Sequence, residues 1–272
     1  MCANRISKLS IITPSYNQGD YIEQTIKSVQ NQNYGNVEHI IVDGGSTDTT
    51  VEILKSYDHL IWVSEKDGGQ ADALNKGLAL STGDVIGWIN SDDYYERNIF
   101  QNVMACFDAP ETQWTIGNLT NLFGEKGFFF RESPTVTYDN LIKNPDIVRQ
   151  QPTFFRRDVL ELAGGWNAEY FMVMDYDLWV RLAKIAPPLM VDENWAYYRN
   201  HSAQKSCHGN ILKQSKEIST ILRREQISWK RIARHQFVKR WYWFKGLVKE
   251  RLINLNLVPG KYRTRPVRLE EK

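Results

Sequence analysis

Apolar positions in the first 120 residues switch repeatedly between two periods. Leu9-Ser10-Ile11-Ile12-Thr13 is a short run closed by Pro14 and reads as a buried strand. Tyr21, Ile22, Thr25, Ile26 and Val29 then recur at helical spacing. Residues 39–42 read as a second strand, 47–55 as a helix, 59–63 as a third strand, 72–80 as a helix and 85–89 as a fourth strand. This alternation predicts an α/β fold: a Rossmann-like, mostly parallel sheet with helices on both faces. From about residue 123 the pattern is mixed, with strands predicted at 127–131, 189–191 and 195–198, and helices at 159–163 and 178–186. No linker or internal repeat interrupts the chain, so one domain is expected over residues 1–210, followed by a tail at 211–272.

In open α/β sheets, ligands bind beyond the carboxyl ends of the strands. Polar residues collect there: Ser15-Tyr16-Asn17, Asp43, Glu65-Lys66-Asp67 and Asp92-Asp93. Any one of these could be a helix cap or a turn residue. Four strand ends supplying carboxylates or aromatics to one edge point to a site. Asp92 and Asp93 are adjacent and repel unless something neutralises them. That predicts a hard divalent cation, Mn²⁺ or Mg²⁺, completed by substrate phosphates.

Charge and composition change the picture at the C-terminus. With 272 residues, 42% hydrophobic and 24% charged, the chain is globular, which excludes disorder, collagen and coiled coil. The formal charge of +2 hides an asymmetry. Residues 1–210 hold 17 basic and 27 acidic residues, and residues 211–272 hold 17 and 5. Within the tail, Trp229, Ile232, Ala233, Phe237, Trp241, Phe244, Val248 and Leu252 form a helical stripe flanked by Lys and Arg. Such a segment suits an interfacial helix on an anionic membrane. A helix packed on the domain or a second subunit, or a nucleic-acid arm, are the competing readings; membrane leads, and nucleic acid is not the expected partner. Cys2, Cys106 and Cys207 have neither disulfide nor metal-ligand spacing, and no segment reads as a leader or a spanning helix. A cytoplasmic protein, peripheral on the inner face of the cell membrane, is expected.

The motifs together resemble family 2 glycosyltransferases. They are Ile11-Ile12-Thr13-Pro14-Ser15-Tyr16-Asn17, Ile41-Val42-Asp43-Gly44-Gly45-Ser46-Thr47-Asp48, residues 67–77 with Gln70, Gly83-Asp84, and Asn90-Ser91-Asp92-Asp93. Further on, Gly164-Gly165-Trp166 and Asp175-Tyr176-Asp177-Leu178-Trp179-Val180-Arg181 are similar to the acceptor-side motifs. The resemblance covers roughly residues 8–206. It implies a GT-A fold, with a nucleotide-sugar half at 1–120 and an acceptor half at 121–210. It also implies a nucleotide-diphosphate sugar donor and inversion at the anomeric carbon.

Carried over by position, Thr13, Pro14 and Tyr16 line the base pocket, Asp43 accepts a hydrogen bond from the base, and Asp67 lies near base and ribose. Asn17, Gln70, Asp72, Lys76 and Asp92 join them in the expected nucleotide-sugar site. Asp92, Asp93 or both, with His201, are the expected metal ligands, and His201 could instead bond a phosphate. Asp175 is the expected general base; it and Asp177 are also placed to be helix-start acids. Three positions depart from the family pattern: Asn90 for the first Asp of Asp-x-Asp, Gly44 for a second Asp, and Leu74 for an Arg. Lys66 or Lys76 is then needed at the diphosphate. Trp166 and Trp179 could stack on sugar or belong to the core.

The expected activity is transfer of one sugar to a hydroxyl of an acceptor, a lipid-linked saccharide of surface-polysaccharide assembly. It should be non-processive, because Gln236 to Trp241 is one residue too long for the polymerase motif. A nucleotidyltransferase, or a non-catalytic sugar-nucleotide-binding subunit, are the rivals.

Overall fold

The computed structural model describes residues 7–123, 126–130, 136–145, 147–201, 204–205 and 210–238. Four strands make the parallel half of one sheet: β1 (Leu9–Ser15), β2 (Val37–Asp43), β3 (Leu60–Ser64) and β4 (Val85–Trp88). β1 is buried at all seven positions and pairs in parallel with β2 on one side and β4 on the other. Burial on both faces explains its unbroken apolar run. Helices α1 (Ile22–Gln30), α2 (Thr50–Lys55) and α3 (Gln70–Leu80) connect these strands. α3 lies close on β1: a Cβ on Gly77 would sit 2.4 Å from Ile12 Cγ2. α2 starts three residues later than its periodicity predicts, because Asp48 accepts from Thr50 N (3.0 Å) and Gly19 N (2.9 Å) and holds the preceding residues in a loop.

Beyond β4 come β5 (Tyr94–Tyr95), α4 (Phe100–Cys106), β6 (Trp114–Phe123), β7 (Lys126–Phe130), α5 (Tyr138–Lys143) and β8 (Thr153–Arg156). They are followed by α6 (Arg157–Leu162), α7 (Met174–Ile185), β9 (Leu189–Asn200) and α8 (Ile211–Arg224). The sheet runs β3-β2-β1-β4-β8-β6-β9-β5, with β7 beside β6. The expectation of a mostly parallel sheet holds as far as β4 only. β8 runs antiparallel to β4 and β6, β7 to β6, and β5 to β9, while β6 and β9 are parallel. Two residues separate β6 from β7, and so short a link permits only an antiparallel pair.

Two apolar layers flank this sheet. One contains Ile12, Leu74, Trp88, Trp114, Phe155 and Trp179; the other contains Ile11, Val85, Phe100, Phe154 and Trp195. Ile218, Ile221, Leu222 and Ile232 belong to the first layer. The expected boundary at 210 is therefore displaced, and the chain through Ile232 is part of the domain. The predicted stripe also splits over residues 229–238. Ile232 turns inward, whereas Trp229 and Phe237 are 73% and 71% exposed. The rest of the stripe, Trp241, Phe244, Val248 and Leu252, lies outside the described residues, as do Cys2 and Cys207. No helix among the described residues is long and apolar enough to cross a membrane.

Candidate active site

A cavity of about 1090 Å³ opens at the carboxyl ends of β1, β2 and β4. Pro14, Ser15, Tyr16 and Gln18 form one part of its wall, with Gly44, Lys66 and Asp67 beside them. The start of α3, through Gly69 and Gln70, and the turn at Asn90-Ser91-Asp92 form the floor side. Residues 171–176 and α8, through Ile211, Gln214 and Ile218, close the opposite side.

Of the expected site residues, Pro14, Tyr16, Asp67, Gln70, Asp92 and Asp175 line this cavity. His201 adjoins it: Nε2 is 3.1 Å from Asp92 Oδ2, and the ring stacks on Tyr21 at 4.5 Å between centroids. Tyr16 is 60% exposed at the rim, free to lie against a flat ring. Asp67 Oδ1 accepts from Gly69 N (2.8 Å). A Cβ at Gly44 would come within 3.0 Å of Asp67 Oδ2, so a second Asp there would crowd that carboxylate. This gives a steric reason for the glycine.

The remaining expected residues stand outside the wall. Thr13 is fully buried, with Oγ1 2.9 Å from His39 Nε2; burial brings that imidazole down to about 3. Asn17 has φ +52° and ties two loops, accepting from Thr47 N (2.9 Å) and donating its own N–H to Ser46 Oγ (2.7 Å). Asp43 is fully buried and accepts from Ser46 N (2.9 Å), Gly45 N (3.2 Å) and Ser64 Oγ (2.6 Å). Its oxygens shape the loop after β2 instead of facing a base. Asp72 accepts from Gly68 N (2.9 Å). Lys76 pairs with Glu65 (2.8 Å) and Asp72 (3.5 Å), which leaves Lys66 as the predicted cation that reaches the cavity.

The two adjacent carboxylates part company. Asp93 is fully buried, with Oδ2 accepting from Gln151 Nε2 (2.8 Å) and Oδ1 from Arg199 N (3.0 Å). Burial, and then the charge of Asp92, push its carboxyl well above the ordinary range. The expectation that Asp93 reaches a metal is thus corrected, and Asp92 is the acid at the wall. Arg199 holds this turn by donating Nε to Asp92 O (2.5 Å), between the rings of Tyr21 and Tyr94 (both 5.2 Å). Asn90 accepts from Gln70 Nε2 (2.7 Å) and Trp88 Nε1 (2.9 Å), and donates to Gln150 Oε1 (3.1 Å). Among the described residues no three His, Cys, Asp or Glu side chains could hold an ion unaided. Asp92 and His201 offer one oxygen and one nitrogen, a donor pair that suits Mn²⁺ when phosphate and water supply the rest.

Asp175 and Asp177 also separate. Val173 is the N-cap of α7, so both acids fall in its first turn. Asp175 faces the cavity and its Oδ1 accepts from Tyr176 N (2.8 Å). Asp177 is fully buried, paired with Arg181 (2.7 Å) and with Arg224 of α8. Trp166 is core and meets Trp88 edge-on at 5.7 Å; Trp179 is buried and stacks on Trp114 and Phe155, and it also lines the cavity.

Several wall residues escaped the sequence reading. Ser15 Oγ and Gln18 Oε1 are buried without a hydrogen-bond partner among the described residues, as groups awaiting a ligand would be. Ser15 lay inside a quoted motif. Arg149, Gln150 and Gln151 carried no signal, being polar residues in an irregular stretch. Lys205, which with Gln204 the sequence offered as a helper at the phosphate, donates to Gln70 Oε1 (3.0 Å), and burial brings its ammonium down to about 8.

The family model for glycosyl transferase family 2 matches residues 10–164. The chain belongs to that family. An uncharacterized glycosyltransferase of Mycobacterium tuberculosis H37Rv is 30% identical over 195 residues, covering 67% of this chain and 71% of that protein. The Escherichia coli UDP-Glc:α-D-GlcNAc-diphosphoundecaprenol β-1,3-glucosyltransferase WfaP is 28% identical, covering 89% and 94%. Among solved structures, Staphylococcus aureus TarS 1-349 with UDP-GlcNAc superposes with a TM-score of 0.65 at 18% identity, covering 84% of this chain and 70% of that one. Against the longer TarS chain, coverage is 42%. The mannosyltransferase PcManGT of Pyrobaculum calidifontis, with GDP-Man and Mn²⁺, gives 0.59 at 17% identity, covering 80% and 64%. The curled mixed sheet of this family 2 glycosyltransferase is a GT-A fold.

Proposed function

We propose that this glycosyltransferase moves one sugar from a nucleotide-diphosphate donor to an acceptor hydroxyl with inversion, without processivity. The observation that carries the reading is that Asp175 opens on the same cavity as Tyr16, Asp67 and Asp92, while Asp177 is sealed in an ion-pair network. Pro14, Tyr16 and Asp67 hold the base and ribose, and Lys66 faces the diphosphate. Asp175 accepts the proton of the attacking hydroxyl, opposite the departing group. Asp92 and His201 would hold a Mn²⁺ or Mg²⁺ ion, whose chemistry is Lewis-acid stabilisation of the leaving diphosphate.

The acceptor, in this reading, is a lipid-linked saccharide on the cytoplasmic leaflet. WfaP, by its name, acts on a diphosphoundecaprenol-linked sugar. Another relative, the putative teichuronic acid biosynthesis glycosyltransferase TuaG of Bacillus subtilis, is 32% identical over half of this chain. Exposed Trp229 and Phe237, with exposed Lys230, Arg231 and Arg234 beside them, fit an anionic interface. Incubation with a panel of nucleotide sugars and Mn²⁺, with NMR of the product anomer, tests the reaction. Nucleoside triphosphate consumption, binding without turnover, or a product of retained configuration would overturn it.

A further inference from the structure

At the side of the cavity away from β1 and β2, two ammonium groups meet one aromatic ring. Lys205 Nζ lies 4.1 Å and Lys213 Nζ 3.7 Å from the centroid of Phe171. Phe171 is 43% exposed and lines the cavity, and Lys213 is exposed on the first turn of α8. Lys213 works against the charge of Lys205, and an anionic group brought to the two ammonium groups would offset that repulsion.

Two acids nearby favour the charge of Lys205, and each has another task. Glu217 lies one turn along α8, but its carboxylate accepts from Phe171 N (3.3 Å) and Met172 N (2.7 Å). It builds the loop that carries the ring. Asp175 attracts Lys205 from the start of α7, yet it is the group that the reaction requires to take up a proton. Phe171 lies just ahead of α7, which carries Asp175, and Lys213 and Glu217 are on α8; none of the three is on the strand ends and loops that hold Tyr16 and Asp67.

We propose that Lys205 and Lys213, set about Phe171, form a subsite for a phosphate or diphosphate group carried by the acceptor. This rests on the glycosyl-transfer reading and adds the anionic group that the acceptor must carry. Guanidinium and ammonium groups bind phosphate oxygens through charge-assisted bonds, and the ring offers an apolar side for a sugar or the first lipid carbons. Lys205 also reaches Gln70 on the donor wall, so alone it could serve either diphosphate. Lys213 meets the Phe171 ring from α8 and makes no such bond to the donor wall among the described residues, so it is the residue that separates the two.

The test is calorimetric titration of the full-length protein with geranyl diphosphate, the donor site first saturated with UDP or GDP, whichever binds. Geranyl diphosphate should bind and geraniol should not. Lys213→Gln and Lys205→Met should each weaken it about tenfold. Affinity for the nucleoside diphosphate should stay within about twofold in Lys213→Gln. Equal affinity of both variants for geranyl diphosphate overturns the proposal, as does no binding to the unaltered protein, or geraniol binding as tightly. A parallel loss of nucleoside diphosphate affinity in Lys213→Gln would assign the cluster to the donor. Should either variant fail to fold, Phe171→Leu, which keeps both ammonium groups, is the substitute, with weakened binding expected and unchanged binding counting against it. Failure of every nucleotide sugar to turn over would overturn glycosyl transfer, yet would leave this titration readable.

Discussion

Replacing Asp175 and Asp177 separately by Asn is the sharpest division of chemistry from stability that the structure offers. The two acids stand two residues apart on one helical turn, and the substitution is isosteric in both. Asp177 is fully buried and holds two guanidinium groups, those of Arg181 and Arg224. Removing its charge leaves Arg181 with the carbonyls of Ala163 and Gly165 alone, and Arg224 with Glu225. Breaking a buried pair costs roughly 3–5 kcal/mol. The Arg side chains retain 21% and 37% of their exposure and can be rehydrated, which discounts the loss to about 3 kcal/mol. For a domain of this size that is a fall in Tm of about 6–12 °C. Asp175→Asn removes a proton acceptor from the cavity wall while leaving the buried network whole. Transfer should fall by about 10²–10⁴, with Tm within about 2 °C. Scanning calorimetry and a radiolabelled-donor assay well below either Tm read the two effects separately. An unchanged Tm in Asp177→Asn, or full transfer by Asp175→Asn, would refute the division.

Asp92→Asn should raise the Mn²⁺ concentration needed for half-maximal transfer about tenfold, whereas Asp93→Asn should act on Tm instead, because its carboxyl is bound to Gln151 and Arg199; a metal titration of both variants checks this. Affinity for geranyl diphosphate should fall as pH rises from 7 to 9. Lys205 loses its proton near 8, with Lys213 opposing and Asp175 and Glu217 favouring its charge, and the fall should be absent in Lys205→Met. Trp229→Ala with Phe237→Ala should release the protein from anionic liposomes in co-sedimentation at low salt, with Tm unchanged, because both rings are exposed.

Much of the parallel half was legible, because β1, β2 and β4 are buried on both faces and write that burial as continuous apolar runs. The periodicity starts α7 four residues too late. Its first turn holds Asp175 and Asp177, and an acid that is buried against two arginines looks like surface to any periodicity argument. The same blindness affects the site. Asp92 and Asp93 are indistinguishable as neighbours in a motif. They are parted by Gln151 and Arg199, which arrive from β8's approach and from β9. Thr13, Asn17 and Asp43, at or near strand ends, and Asp72 and Lys76, in α3, were found as motif residues, yet their bonds run to neighbouring elements and loops that shape the cavity. Gln150 and Gln151 left no trace in the pattern, since only tertiary contact makes a buried amide informative. In the tail, spacing put Trp229 and Ile232 on one stripe; α8 packing turned Ile232 inward and left the tryptophan in solvent.

α8 gives this protein a constraint that a domain diagram would miss. The helix supplies Ile211, Gln214 and Ile218 to the cavity, Ile221 and Leu222 to the core, and Arg224 to the carboxylate beneath the first turn of α7. The C-terminal region is consequently not an exchangeable module. A chimera that grafted a relative's tail at residue 210 would arrive with one side of its substrate chamber missing and Asp177 short of a counter-charge. Recombination that preserves function has its first permissible crossover only after the inward turn of Ile232, where the chain last enters the core among the described residues. Sequence drift upstream of that point is coupled to the active site, however far along the chain it occurs.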